Sequence, residues 1–225
     1  MTETAPALLA ELAELEDPRM RAVNERHGDD HGVNLSALRG IAKRVKRNPE
    51  LARELWATDD TAARLLGILL TTPRDWSVEE LDAMLREARA LKVLDWVTNY
   101  LAMKHKEADR LRELWLGDPA DEVAAAGWEL TADRVQRSPD GLDLDALLDT
   151  IEAEMASVPS RTQWSMNKTL AYLGIHHPQL RERALAIGER LEVLKDYPTP
   201  PNCTSPYAPA WIGEIVGRMD ASEAR

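Results

Sequence analysis

The segment Arg53-Glu54-Leu55-Trp56 returns 59 residues later as Arg112-Glu113-Leu114-Trp115. Apolar helical text follows each copy, Leu65 to Leu70 after the first and Ala124 to Trp128 after the second. A one-residue slip aligns Gly67 with Gly127, and a fainter echo pairs Asn48–Arg53 with His177–Glu182. Units that recur on this scale cannot bury their apolar faces alone, so they stack on their neighbours. The expectation is an all-α protein, an α-α superhelix that binds along a surface rather than in a closed pocket.

Helical periodicity dominates, and strand alternation is nearly absent. Leu8, Leu12 and Leu15 share a face of a first helix, and Pro18 opens a second. Asn34 caps a helix bearing Leu35, Leu38, Ile41 and Val45, and Asn48-Pro49 opens another. Ser77 and Glu80 form a capping box. Further helices are predicted over 91–104, 107–116, 120–136, 144–156, 162–175 and 179–191. Residues 197–209 hold five prolines and read as an extended strap, followed by a short C-terminal helix over 211–219. No internal linker divides the chain, so one helical-repeat domain over 1–225 is expected.

The 225 residues carry a net charge of −11, which argues against a body coated in basic surface but leaves room for a local basic stripe. Cys203 is the single cysteine, so no intrachain disulfide can form; with no signal-like start and no apolar run long enough for a bilayer, the reading is a cytoplasmic chain without membrane contact. His27 and His31 flank Asp29 and Asp30 but lack the helical context of a zinc pair, so no metal is expected. Glycine-rich phosphate loops are missing, so no nucleotide cofactor is expected either.

Phe is absent and Trp occurs seven times, so aromatic surface is concentrated in indoles. Trp96, Trp128 and Trp164 each fall in the second helix of a helical pair, the layer that lines the inner face of a two-layer array. There they can stack on bases or cradle a cationic base, or they can simply pack between repeats. Trp56 and Trp115 read as core. Arg39, Lys43, Arg44, Lys46 and Arg47 form a run free of acids; Arg39, Lys43 and Lys46 share a face that suits a phosphate backbone or a solvated helix surface alike. Lys104, His105 and Lys106 extend it. Asp95 stands beside Trp96 and near Asn99 and Tyr100, where a carboxylate can stabilise developing positive charge or only complement a helix dipole. Gln163, Trp164, Asn167 and Lys168 gather polar and aromatic groups on one helix, facing a ligand or satisfying loop backbone.

These residues resemble the bacterial DNA alkylation repair family, the AlkD-like HEAT-repeat alkylpurine glycosylases. The likeness runs through Gly32-Val33, Leu38–Lys43, Glu50–Trp56, Ala62–Leu66, Asp95-Trp96-Val97, Trp164–Asn167 and Gly174–Pro178, and Cys203–Ile212 looks like a hallmark of one branch. It implies a HEAT-like superhelix with a basic face for duplex DNA carrying alkylated bases. It also implies hydrolysis of the N-glycosidic bond of cationic alkylpurines by a carboxylate between indoles, with no cofactor. The chain departs from the family pattern. Asp95 and Trp96 stand in reversed order, the family's aspartate position falls on Thr98 or Asn99, an arginine expected near Ala124 to Ala126 is missing, and the last indole position is Lys168. Catalysis would therefore rest on Asp95 and Trp96. Trp128, Trp164, Asn167, Lys168 and Tyr100 would contact the substrate, and Arg39, Lys43, Lys46, Arg47 and Lys104 the DNA backbone. A non-catalytic binder of distorted or branched nucleic acid, and a protein-interaction scaffold, are the alternatives.

Overall fold

The computed structural model describes residues 3–223. Its helices gather into two compact units, one running through Leu111 and one beginning at Arg112.

The N-terminal unit contains α1 (Ala5–Glu14), α2 (Pro18–Glu25), α3 (Leu35–Val45), α4 (Pro49–Trp56), α5 (Thr61–Leu69), α6 (Val78–Glu87) and α7 (Leu91–Trp96); α8 (Ala108–Trp115) crosses the boundary. The caps read from the sequence form. Asn34 Oδ1 accepts from the Ser36 amide at 2.7 Å, and the Ser77–Glu80 box closes in both directions. Thr61 through Ile68 are all buried, so α5 is the centre against which α1, α3, α4 and α7 pack. Even Arg64 is buried there, its guanidinium donating to the Trp56 and Glu87 carbonyls and paired with Asp59 at 2.7 Å.

The C-terminal unit contains α9 (Asp121–Arg137), α10 (Leu144–Glu154), α11 (Ser160–His176), α12 (Arg181–Leu191) and α13 (Ala208–Glu223). α9 and α11, each 17 residues long, pack along one another. No side chain of its own caps α11. Asp121, at the start of α9, does so from a distance: its carboxylate accepts from the Arg161 amide at 3.1 Å, the Thr162 amide at 2.8 Å and the Thr162 hydroxyl at 2.7 Å. The proline-rich segment is non-helical from 197 to 207, and α13 starts at Ala208 rather than near Trp211. Pro209 falls in the first turn of α13, where its missing N–H costs nothing.

The repeated text has a shared structural consequence. A Cβ on Gly67 would meet the Ala52 carbonyl oxygen of α4 at 3.1 Å, and one on Gly127 would meet the Leu116 nitrogen at 2.8 Å and the Trp115 carbonyl carbon at 2.9 Å. In both copies glycine lets a helix lie directly on the backbone of the helix before it. Trp56 and Trp115 are buried as core. Among the described residues there is no strand, and no helix is long and apolar enough to cross a membrane.

Candidate nucleic-acid interface

Helix α7 does not end at Trp96. It continues through a π turn over Val97–Leu101 and a 3-10 turn over Ala102–Lys104. Two side chains bond back onto the main chain here. The Thr98 hydroxyl donates to the Leu94 carbonyl at 2.9 Å and the Asn99 amide to the Asp95 carbonyl at 2.7 Å. Thr131 on α9 and Thr169 on α11 make the same kind of bond, to the Gly127 and Ser165 carbonyls at 2.9 Å, inside regular helix, so the Thr98 bond accompanies the wider turn without being sufficient to cause it. Such turns concentrate at functional sites.

Around this turn four sequence-predicted residues form a row. The Arg39 guanidinium lies 5.8 Å from the centre of the Trp96 ring. Trp96 meets Tyr100 edge-on, ring centroids 5.1 Å apart. The Lys104 ammonium lies 5.4 Å from the Tyr100 ring. Arg39, Asp95, Asn99, Tyr100 and Lys104 are exposed, while Trp96 is buried. A cation over each ring end, held by quadrupole attraction, presents positive charge in a fixed line.

The basic run on α3 divides by partner. Arg44 is fully engaged, with Nη1 and Nη2 on Glu11 at 2.9 and 2.5 Å and Nε on Glu3 at 3.0 Å. Arg47 binds Asp75 through both its Nε, at 2.9 Å, and an Nη. The Arg47 hydrogen bond, followed by those from Thr72, pulls the Asp75 carboxyl down to about 2. Lys43 and Lys46 are exposed and form no ion pair among the described residues. The two lysines, with Arg39 and Lys104, are thus available to phosphates, whereas Arg47 already holds a carboxylate. Lys43 and Arg44 also lie in the last turn of α3, where the helix dipole favours cations. His31 is buried and His27 exposed, and no group of carboxylate, His or Cys side chains suited to a metal occurs among the described residues.

In the C-terminal unit the predicted residues separate. Trp128 belongs to the core, packed with Val135, Leu148 and Met166, and offers no surface. Asn167 is 2% exposed, and its amide donates to the Pro206 carbonyl at 2.8 Å, tying the proline-rich segment to α11. Lys168 donates to Glu129 at 2.6 Å. Burial alone would favour the neutral amine, but the Glu129 charge and hydrogen bond outweigh it and raise the pKa above the usual lysine value. Lys168 also lies 5.6 Å from the Tyr172 ring. Trp164 alone of the three indoles is exposed, and it meets Tyr197 edge-on at 5.0 Å.

Two residues escaped the sequence reading. Glu129 accepts from both Ser165, at 3.0 Å, and Lys168. Its sequence neighbours on α9 show only an ordinary amphipathic stretch, and its partners arrive 36 and 39 residues later. Tyr197 lay inside the strap, and nothing local marked it as the partner of Trp164.

Helices that carry repeated text, two of them laid on the preceding helix's backbone at Gly67 and Gly127, define a helical-repeat protein. A solved structure described as "A new family of proteins related to the HEAT-like repeat DNA glycosylases with affinity for branched DNA structures" matches with a TM-score of 0.77, at 22% identity, over 96% of this chain and 95% of that one. That likeness establishes the fold. The family model for "DNA alkylation repair enzyme" matches residues 8–212, and the chain belongs to this family. The comparison with curated proteins gave no match. The expected all-α helical-repeat class and the family resemblance are both borne out.

Proposed function

We propose that this chain is a DNA alkylation repair protein that binds damaged duplex DNA, with the α7 face of the N-terminal unit as a principal contact. The observation that carries the reading is the row Arg39–Trp96–Tyr100–Lys104, flanked by the exposed lysines Lys43 and Lys46. A net charge of −11 repels polyanions in general, so an unpaired local stripe is the feature that makes phosphate contact favourable. Family membership points the same way. The test is affinity for duplex DNA against salt. Each phosphate contact contributes a log–log slope of about −0.9, and binding that is flat with salt would reject the stripe as the contact.

A second, sharper reading adds excision. Asp95 is exposed one residue before Trp96, and Asn99 bonds to its carbonyl at the start of the widened turn. A carboxylate there can stabilise an oxocarbenium-like sugar as a cationic alkylpurine leaves, because such a base needs no protonation to depart. Asp95→Asn should abolish release of N7-methylguanine from duplex DNA while leaving binding within about twofold; release by wild type and variant alike rejects the role. No release by wild type, with binding intact, favours the non-catalytic binder, the activity class to which the reversed Asp95-Trp96 order also points.

A further inference from the structure

Trp164 and Tyr197 form an aromatic surface in the C-terminal unit that phosphate binding does not use. Trp164 is 37% exposed and Tyr197 49%, whereas Trp115 is fully buried and Trp128 is 5% exposed. The same unit therefore has room to bury indoles and leaves this one out. Their rings meet at 71° with centroids 5.0 Å apart. An edge-on contact covers a face of only one of the two rings, so flat π-surface is left over.

The pair is also held in place. Trp164 stands on the regular helix α11, and Tyr197 opens the proline-rich segment, its carbonyl accepting from the Thr199 hydroxyl at 3.1 Å. Pro198, Pro200 and Pro201 stiffen the chain beyond Tyr197, and Asn167, one turn after Trp164, pins the far end through Pro206. A rigid aromatic surface binds flat partners with little loss of side-chain freedom.

Charge selects among such partners. Lys168, on the same side of α11 as Trp164, is held by Glu129 at 2.6 Å, and the Lys195 ammonium by Glu192 at 2.6 Å. The two lysines next to the pair along the chain thus already hold carboxylates, which favours a flat, uncharged π-face over a phosphate as the partner. In continuous duplex every base face is covered by its neighbours. An unpaired base at a bulge, gap or branch point has its faces open, and stacking accepts any base because every base has a π-face.

We infer that the Trp164–Tyr197 pair is a stacking platform for an unpaired nucleobase, which makes DNA carrying a bulged base the preferred form over continuous duplex. This rests on the reading of the chain as a DNA binder. The experiment uses the full chain with a labelled duplex and with the same duplex carrying one bulged 2-aminopurine. Wild type should bind the bulged DNA about tenfold more tightly, the scale of one stacked base, and should quench the 2-aminopurine. Trp164→Ala and Tyr197→Ala should each bring the bulged affinity down to the duplex value with duplex affinity unchanged, and Trp164→Phe should keep most of the preference. Equal wild-type affinity for the two DNAs overturns the platform while leaving duplex binding intact. So does a preference that survives Trp164→Ala, or a Trp164→Ala variant in which both affinities fall alike. No binding of either DNA by wild type overturns the DNA-binding reading itself, and the platform with it.

Discussion

Helices α7 and α11 each carry a tryptophan that meets a tyrosine edge-on beside cationic side chains, but Trp96 is buried with Tyr100 exposed, whereas Trp164 and its strap partner Tyr197 are both exposed. On α7, Thr98 and Asn99 take main-chain carbonyls, the helix widens, and Arg39 and Lys104 lie over the rings while Lys43 and Lys46 carry no counter-charge among the described residues. On α11 the helix is regular over 17 residues, Lys168 is neutralised by Glu129, and Asn167 is occupied by the strap. The same residue types, Trp, Tyr and Lys, yield a positive surface in one unit and a near-neutral aromatic one in the other. The deciding factor is whether a carboxylate from another helix arrives at the cation. The glycines of the repeat differ in the same spirit: Gly67 tolerates its neighbour by a few tenths of an ångström more than Gly127 does.

The largest expected effect tests the charge side of this contrast. Replacing Arg39, Lys43 and Lys46 together by Ala should lower duplex affinity more than tenfold at low salt. It should also flatten the log–log salt slope by about 0.9 for each phosphate no longer neutralised. Lys168→Met should leave that slope unchanged, because its charge already belongs to Glu129. A triple variant with the wild-type slope, or a flattened slope in the Lys168 variant, would reverse the assignment of the two surfaces.

Next in size is the packing of the repeats. Gly127→Ala places a methyl group at 2.8–2.9 Å from backbone atoms that no rotamer change can move. It should cost about 2–3 kcal/mol in urea unfolding, the upper part of the range for overpacking. A loss below that of Gly67→Ala would break the correspondence drawn between the two copies.

A smaller effect belongs to Asp75, the buried partner of Arg47. A carboxyl depressed to about 2 contributes stability that is complete above its ordinary value near 3.8 and is lost as pH falls through the folded value. Between pH 5 and 2 the wild type should lose about 1 kcal/mol from this group, allowing for screening of the half-exposed Arg47. Asp75→Asn should remove that part of the pH dependence, and an identical acid profile for the variant would assign it elsewhere. His31 acts with the opposite chemistry. Burial lowers its pKa, against the pull of Asp29, Glu16 and Asp30, so the neutral ring is the folded form, and stability should decline as pH falls below about 6.5. His31→Gln should blunt that decline.

The smallest change is Gly67→Ala. The 3.1 Å approach to the Ala52 carbonyl and the roughly 1 kcal/mol helix-propensity gain of alanine nearly cancel. Stability should stay within about 1 kcal/mol of wild type by the same urea measurement, and a larger loss would show that α4 and α5 have no room to relax.

Much of the fold was legible along the chain. Prolines and Asx or Ser caps stand within a turn of the helices they start, so Asn34, Asn48, Ser77 and Pro18 announced their elements, and Trp56 and Trp115 announced their core positions by recurring in matched text. The α13 boundary was less legible, because a proline reads alike as the end of a strap and as the first turn of a helix. For the candidate site, the acid-free run from Arg39 to Arg47 and the neighbours Asp95, Trp96 and Tyr100 were visible. Which of the basic residues keep their charge available was not: Arg47 is taken by Asp75, 28 residues on, and Arg44 by Glu11, 33 residues back.

The sequence by itself determined that this chain is helical, built from related units, and a DNA alkylation repair family member, because periodicity, caps and ordered motifs are local and survive without the fold. Only the tertiary structure decided that Trp128 is core while Trp164 is surface, that Lys168 is neutralised while Lys43 is not, and that Tyr197 meets Trp164. These outcomes depend on side chains brought together from dozens of residues apart, and neither burial nor a counter-charge is a property of a residue's neighbours in sequence.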